Sequence, residues 1–137
     1  MNKFRTAYIA FTALFCVAIF PGAIMDIAQP EMVVEVMNNI GLPLYVITLI
    51  GIWKILGVVA LALPRFERVN EWAYAGFFFD LTGAAWCHWA PGDTTFSVVM
   101  PLFFLLPLGA SYVLRDMVRA GAGVAGDAAP LSVAQAG

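Results

Sequence analysis

Apolar residues in this chain gather into four long runs separated by short polar breaks, and we read the runs as spans at Tyr8–Ile27, Pro43–Leu63, Trp72–Trp89 and Phe96–Leu114. A bilayer core about 30 Å thick needs roughly 20 apolar residues at a rise of about 1.5 Å each, so every run is long enough to cross as a helix. The first break, Gln29 to Asn39, keeps a helical period of its own. Met32, Val33, Val36 and Met37 share a face while Glu31 and Glu35 stay polar, and Pro30 suits a helix start, so a short interfacial helix is predicted there. The later links, 64–71 and 90–95, are brief, which makes neighbouring spans pack antiparallel.

Composition agrees with lipid as the solvent. Hydrophobic residues make up 62% of the 137 and charged ones only 12%, with a mean hydropathy of +0.86, far from the roughly one-quarter charged mix of soluble domains. A net charge of −2 leaves no basic footprint for nucleic acid, so that class of partner is excluded. The first run resembles a signal peptide in its basic start, yet it is long enough to span and no small-residue cleavage pattern follows. Beyond Arg119 the sequence turns to Gly, Ala, Asp, Pro and Ser. Residues 1–119 are therefore read as one membrane domain and residues 120–137 as a disordered cytoplasmic tail.

Charge sets the expected orientation. Lys3, Arg5, Arg65, Arg68, Arg115 and Arg119 all fall on one side of the four-span topology, while Glu31, Glu35 and Asp93 fall on the other. The positive-inside rule then places both termini in the cytoplasm. The expected fold is all-α, a four-helix transmembrane bundle with the interfacial helix between its first two spans.

Lys54 and Asp80 lie near the middle of the second and third spans, and His88 lies toward the outer end of the third. A central Lys or Asp costs about 2.5–3.5 kcal/mol even on insertion scales, so such groups face the bundle interior and pair. Lys54 and Asp80 are the expected partners. Gly51, Lys54 and Gly57 share one helix face; Gly76, Asp80, Gly83 and Cys87 share another, and small residues allow the close approach a short charged contact needs. Two readings stand: a structural ion pair that fixes helix register, or a substrate or proton site.

Around this centre lie Asp26 and His88, near the outer ends of spans one and three, and Glu71 at the inner end of span three. Asp26 and His88, if they meet, form a carboxylate–imidazole pair opening outward; separately, Asp26 is simply hydrated at the boundary. His88 stands between Trp86 and Trp89 in what reads as an interfacial aromatic belt, which favours a satisfied histidine over a metal or haem ligand. Cys16 and Cys87 are separated by about 9 Å of depth, too far for a disulfide without tilt. Pro21, Pro101 and Pro107 are candidate kinks in spans one and four.

Several segments together carry a resemblance: Gly41-Leu42-Pro43-Leu44-Tyr45, Gly51-Ile52-Trp53-Lys54-Ile55-Leu56-Gly57, Leu63-Pro64-Arg65, the run from Glu71 to Ala84, and His88. They resemble the bacterial DoxX-like family over nearly all of residues 5–115, most specifically from Glu71 to Gly83. That resemblance implies a four-helix inner-membrane protein, related to a small subunit associated with thiosulfate:quinone oxidoreduction, and a shared polar site at Lys54, Glu71, Asp80 and His88. Cys87 stands where the family often has Ser.

The expected function is a redox-associated subunit or enzyme acting on a lipophilic small molecule such as a quinone. Lys54, Asp80 and His88 are the candidate catalytic residues, and Asp26, Glu71 and Cys87 the candidate substrate contacts. No metal, haem or flavin motif is present, so electrons would come through a redox partner protein. The alternative is a non-catalytic assembly or binding protein whose Lys–Asp pair is structural. Transport ranks third, since four helices leave little room for a pathway without oligomers.

Overall fold

The computed structural model describes residues 3–63 and 65–127, which fold into six helices: α1 (Lys3–Ala28), α2 (Glu31–Ile40), α3 (Leu44–Ala62), α4 (Glu67–Trp89), α5 (Thr95–Phe103) and α6 (Leu105–Asp127). Three helical stretches among these residues are long and apolar enough to cross a membrane, namely Lys3–Ala28, Leu44–Ala62 and Thr95–Gly123. The surface agrees with that solvent. Leu14, Val17, Trp53, Leu56, Phe79, Phe103 and Leu106 all point outward, the inverse of a soluble protein's polar exterior.

α4 has the length of a span at 23 residues, but Glu67, Arg68, Glu71 and Asp80 dilute its apolar character. The expected fourth span is interrupted. α5 ends at Phe103 and α6 begins at Leu105, because Pro107 has no N–H to give the carbonyl of Phe103 and its ring crowds that turn. Pro21, by contrast, is carried within an unbroken α1. α6 also runs on through residues 120–127, part of the tail expected to be disordered. This stretch extends a helix already formed, which avoids the cost of nucleation. The rest of that tail, 128–137, lies outside the described residues.

Side-chain contacts fix the sense of packing. Asp26 meets Lys54 while Gln29 meets Thr48, so α1 and α3 are antiparallel. Gly57 faces Phe77 while Asn70 binds the carbonyl of Ala60, and Tyr74 meets Ser111 while Glu67 meets Arg119, so α3, α4 and α6 alternate in the same way. α1 packs on α3 and α6, and α4 on α3 and α5. The start of α1, the α3–α4 connection and the end of α6 thus share one end of the molecule.

The core is a column of Phe15, Ile19, Leu61, Tyr74, Phe77, Leu81 and Leu108, with the Phe15 and Phe77 rings edge to face at 4.9 Å. The short helix expected after the first run is α2. Gly41 ends it in the left-handed conformation, φ 73°, where the N–H groups of Gly41 and Leu42 cap the carbonyls of Asn38 and Met37.

Two glycines admit this packing. A Cβ at Gly51 would lie 2.8 Å from Ile27 Cγ1 and 2.9 Å from the carbonyl of Ala23, and one at Gly57 would lie 2.7 Å from the Phe77 ring. The expected small-residue stripe of α3 is therefore a true contact face. On α4 the expectation fails, because Gly76 and Gly83 face open space and the bulky core residues occupy the neighbouring face. Gly51→Ala should accordingly cost about 1–3 kcal/mol by overpacking α1 against α3, seen as a lower melting temperature in detergent, whereas Gly83→Ala should leave it unchanged or raise it.

Candidate functional site

Lys54 projects from α3 with its ammonium held between two carboxylates. Nζ donates to Asp26 Oδ2 of α1 at 2.9 Å and stands 3.6 Å from Asp80 Oδ2 of α4. The expected Lys54–Asp80 contact exists, but Asp26 is the nearer partner and alone takes the hydrogen bond. Helical side chains lean toward the helix N-terminus, so the long Lys54 arm reaches back along α3 to the level where α1 ends. Gln29, at φ 50°, fixes that level. Its Nε2 donates to the Leu44 carbonyl at 3.0 Å and to Thr48 Oγ1 at 2.6 Å, clasping the exit of α1 to the first turn of α3.

The three side chains are mostly sheltered, with exposures of 19% for Lys54, 13% for Asp26 and 18% for Asp80. One ammonium faces two carboxylates, so the group carries a formal charge of −1 when all three are ionised. Asp80 Oδ2 is buried and accepts no hydrogen bond from the described residues. Beside it opens a hollow of about 490 Å³ between α3 and α4, lined by Trp53, Gly57, Trp72, Gly76 and Phe77, with Lys54 and Asp80 as its charged groups. Apolar walls with a few convergent polar groups are the usual make-up of a small-molecule site.

The remaining candidates go elsewhere. His88 lies eight residues past Asp80 on α4, about 12 Å along the axis, and its Nδ1 bonds Asp93 Oδ2 at 2.7 Å. The pairing of His88 with Asp26 therefore does not occur: Asp26 is engaged by Lys54, and the α4–α5 turn brings Asp93 back onto the imidazole. Cys87 is half-buried and lines neither this hollow nor the second one described below. Cys16, also free, packs against the core. Among the described residues no group of three or more His, Cys, Asp or Glu could hold a metal ion.

At the α4–α5 turn, the His88 hydrogen bond foremost and the Thr94 backbone N–H next hold the Asp93 carboxyl below its usual range. Its support for the turn is thus complete above the ordinary carboxylate pKa and fades as pH falls through the lower folded value. Asp93→Asn should remove that acid-limb dependence, read as amide exchange of residues 90–97 against pH.

Glu71 belongs to a second polar cluster at the opposite end, which the sequence reading missed. Arg115, only 3% exposed, donates Nη1 to Asn70 Oδ1 at 2.9 Å and pairs with Glu71 and Asp116. Its guanidinium also lies over the rings of Tyr74 and Tyr112, at 5.0 and 4.6 Å. From there Tyr74 Oη meets Ser111 Oγ at 2.7 Å, and Ser111 meets Thr12 at 2.6 Å, which ties α4, α6 and α1 together. A second hollow of about 370 Å³ lies alongside, lined by Glu71, Tyr74, Phe78, Leu108 and Tyr112.

Counted as a flanking charge, Arg115 looked like an orientation signal. The available clue was spacing, with Asn70 and Tyr74, and Ser111 and Arg115, each four apart on a helix face. Arg115→Met should cost about 3–5 kcal/mol, since it strands buried partners. Arg119→Met, at a half-exposed pair with Glu67, should cost no more than about 1 kcal/mol. Thermal melts of the two variants in detergent check the difference.

A family model described as the DoxX-like family matches residues 10–111. The match covers both halves of the Lys54 site, and the chain belongs to that family. Comparisons with curated proteins and with solved structures found no match.

Proposed function

We propose that this member of the DoxX-like family binds, and acts on, a lipophilic small molecule of the quinone class in the hollow between α3 and α4. The observation that carries the reading is that Lys54 and Asp80 stand side by side where an aromatic hollow meets the bundle interior. A quinone has a flat apolar ring, suited to Trp53, Trp72 and Phe77, and a carbonyl oxygen that needs a donor. Lys54 has three N–H groups and spends one on Asp26. Another is free to reach a carbonyl in the hollow, while Asp26 positions the ammonium. His88 takes no part in this version of the site, and electrons would be exchanged through a partner protein.

The same reading includes α4 as a fourth crossing in a bacterial inner membrane, with both termini cytoplasmic. Supporting it, the antiparallel order collects Lys3, Arg5, Arg65, Arg68, Arg115 and Arg119 at one end. The pairing of Asp80 with Lys54 and of Glu71 with Arg115 also offsets two of the charges that make α4 look too polar to span.

A purely structural role for the charged group is the second reading, favoured by the direct Lys54–Asp26 bond between α1 and α3. Fluorescence separates the two. The quinone 2-decyl-1,4-benzoquinone should quench the Trp53 and Trp72 emission of the detergent-solubilised protein saturably. The double variant Lys54→Met, Asp26→Asn, which removes both partners of that bond, should bind about ten-fold more weakly, the loss of one hydrogen bond to a charged group. Equal affinity in the double variant would leave the structural role standing and remove the binding one.

A further inference from the structure

The hollow beside Lys54 has a direction, and what that direction implies rests on the quinone-class reading. Its walls run from Ile50 to Ala60 on α3 and from Val69 to Asp80 on α4. At a rise of about 1.5 Å per residue, the α4 wall is about 16 Å long. The charged groups, Lys54 and Asp80, stand at one end, and the walls nearer the α3–α4 connection carry no charge. Two polar ties bracket the space between the helices. Lys54 stands 3.6 Å from Asp80 at one level, and Asn70 Nδ2 donates to the Ala60 carbonyl at 3.2 Å at the other. Between the ties Phe77 lies buried against Gly57 on the core side, while Trp53, Leu56 and Trp72 point outward along the open side.

Asp80 Oδ2 is buried and faces the lysine charge, which leaves the Lys54 ammonium as the charged group a ligand can meet. A head that accepts a hydrogen bond therefore belongs at the Lys54 end, and an apolar body along the rest. A carboxylate head is disfavoured, because Lys54 already faces two carboxylates. Gly76 governs the width of the passage. It lines the hollow about one helical turn from Asp80, and a Cβ added there would meet nothing within 4 Å, whereas the space at Gly57 is already taken by Phe77. Glycine weakens a helix interior, and packing against a neighbouring helix does not account for one at this position. We infer that the ligand lies lengthwise between α3 and α4, with a quinone carbonyl at Lys54 and the ring beside Trp53. Its aliphatic tail then runs past Gly76 and Trp72 toward the α3–α4 connection, and Gly76 is the specificity-determining residue that admits it.

The test uses the full chain in detergent, with tryptophan quenching by 2-decyl-1,4-benzoquinone as the readout. Gly76→Leu should weaken the quinone about ten-fold or more, the size of an overpacking clash, with the melting temperature unchanged or raised. Gly83→Leu, at a glycine that also faces open space but lines neither hollow, should bind within about two-fold of the unmodified protein. The tail-less 2-methyl-1,4-benzoquinone should lose less than the decyl compound in Gly76→Leu. Orientation is read without any change at Gly76. Trp72 lies eight residues before Asp80, about 12 Å from the charged end, so Trp53→Phe should remove a larger share of the saturable quenching than Trp72→Phe.

Unchanged affinity in Gly76→Leu, or an equal loss for the tailed and tail-less quinones, overturns the inference and leaves the quinone-class reading in place. A larger share of quenching from Trp72 than from Trp53 does the same, and that comparison decides the matter if Gly76→Leu does not fold. Absence of saturable quenching in the unmodified protein overturns the parent reading instead.

Discussion

An ammonium group cannot stay ionised and alone in hydrocarbon, and the arrangement of α1, α3 and α4 follows from how this chain meets that constraint. Lys54 is supplied with one hydrogen-bonded carboxylate and one nearby. Each contact joins a different helix to α3, so the two contacts together define its rotation as well as its neighbours. Breaking a buried pair by removing one partner costs about 3–5 kcal/mol, more than any surface ion pair. A position that strong fixes register, and the same geometry sets an electrostatically active group at the edge of an aromatic hollow. Structural and chemical roles are thus two consequences of a single desolvated charge.

Close approach makes the constraint satisfiable. Gly51 lets the backbone of α1 come near enough for Asp26 to meet Lys54, and Gly57 lets the Phe77 ring sit against α3 so that Asp80, three residues later on α4, arrives at the same level. At the other end of the bundle Arg115 solves a related problem differently. Its guanidinium is spread across Asn70, Glu71, Asp116 and two tyrosine rings, a set of partners that only a planar, multiply donating cation can satisfy at once. The molecule is consequently pinned by two polar clusters with an aromatic column between them.

Much of this was legible beforehand. Three of the four hydrophobic runs read as spans fall on helical stretches able to cross a membrane, the amphipathic pattern of residues 31–39 gave α2, and the expense of Lys54 and Asp80 in apolar surroundings put them together. The family resemblance carried by the Glu71–Gly83 stretch holds, with residues 10–111 matched. The errors are equally physical. Reading depth from residue number ignores the length and lean of a lysine side chain, so Asp26 was read as a partner of His88 or a hydrated boundary group when it belongs to Lys54. Counting arginines as orientation signals ignores that one at a helix boundary can fold inward, so Arg115 was overlooked as a buried centre.

Solvent preference and local helix formation are properties of short stretches of chain, and the sequence by itself therefore determined the membrane-type helices, their approximate limits and which charges were too costly to leave unpaired. Pairing is a property of the space between helices. Only the tertiary structure decided that Asp26 holds the lysine, that Asp93 holds the histidine, and that Asp80 stands beside the lysine without a hydrogen bond from it, because those outcomes depend on rotation, side-chain reach and backbone separation that no residue spacing records.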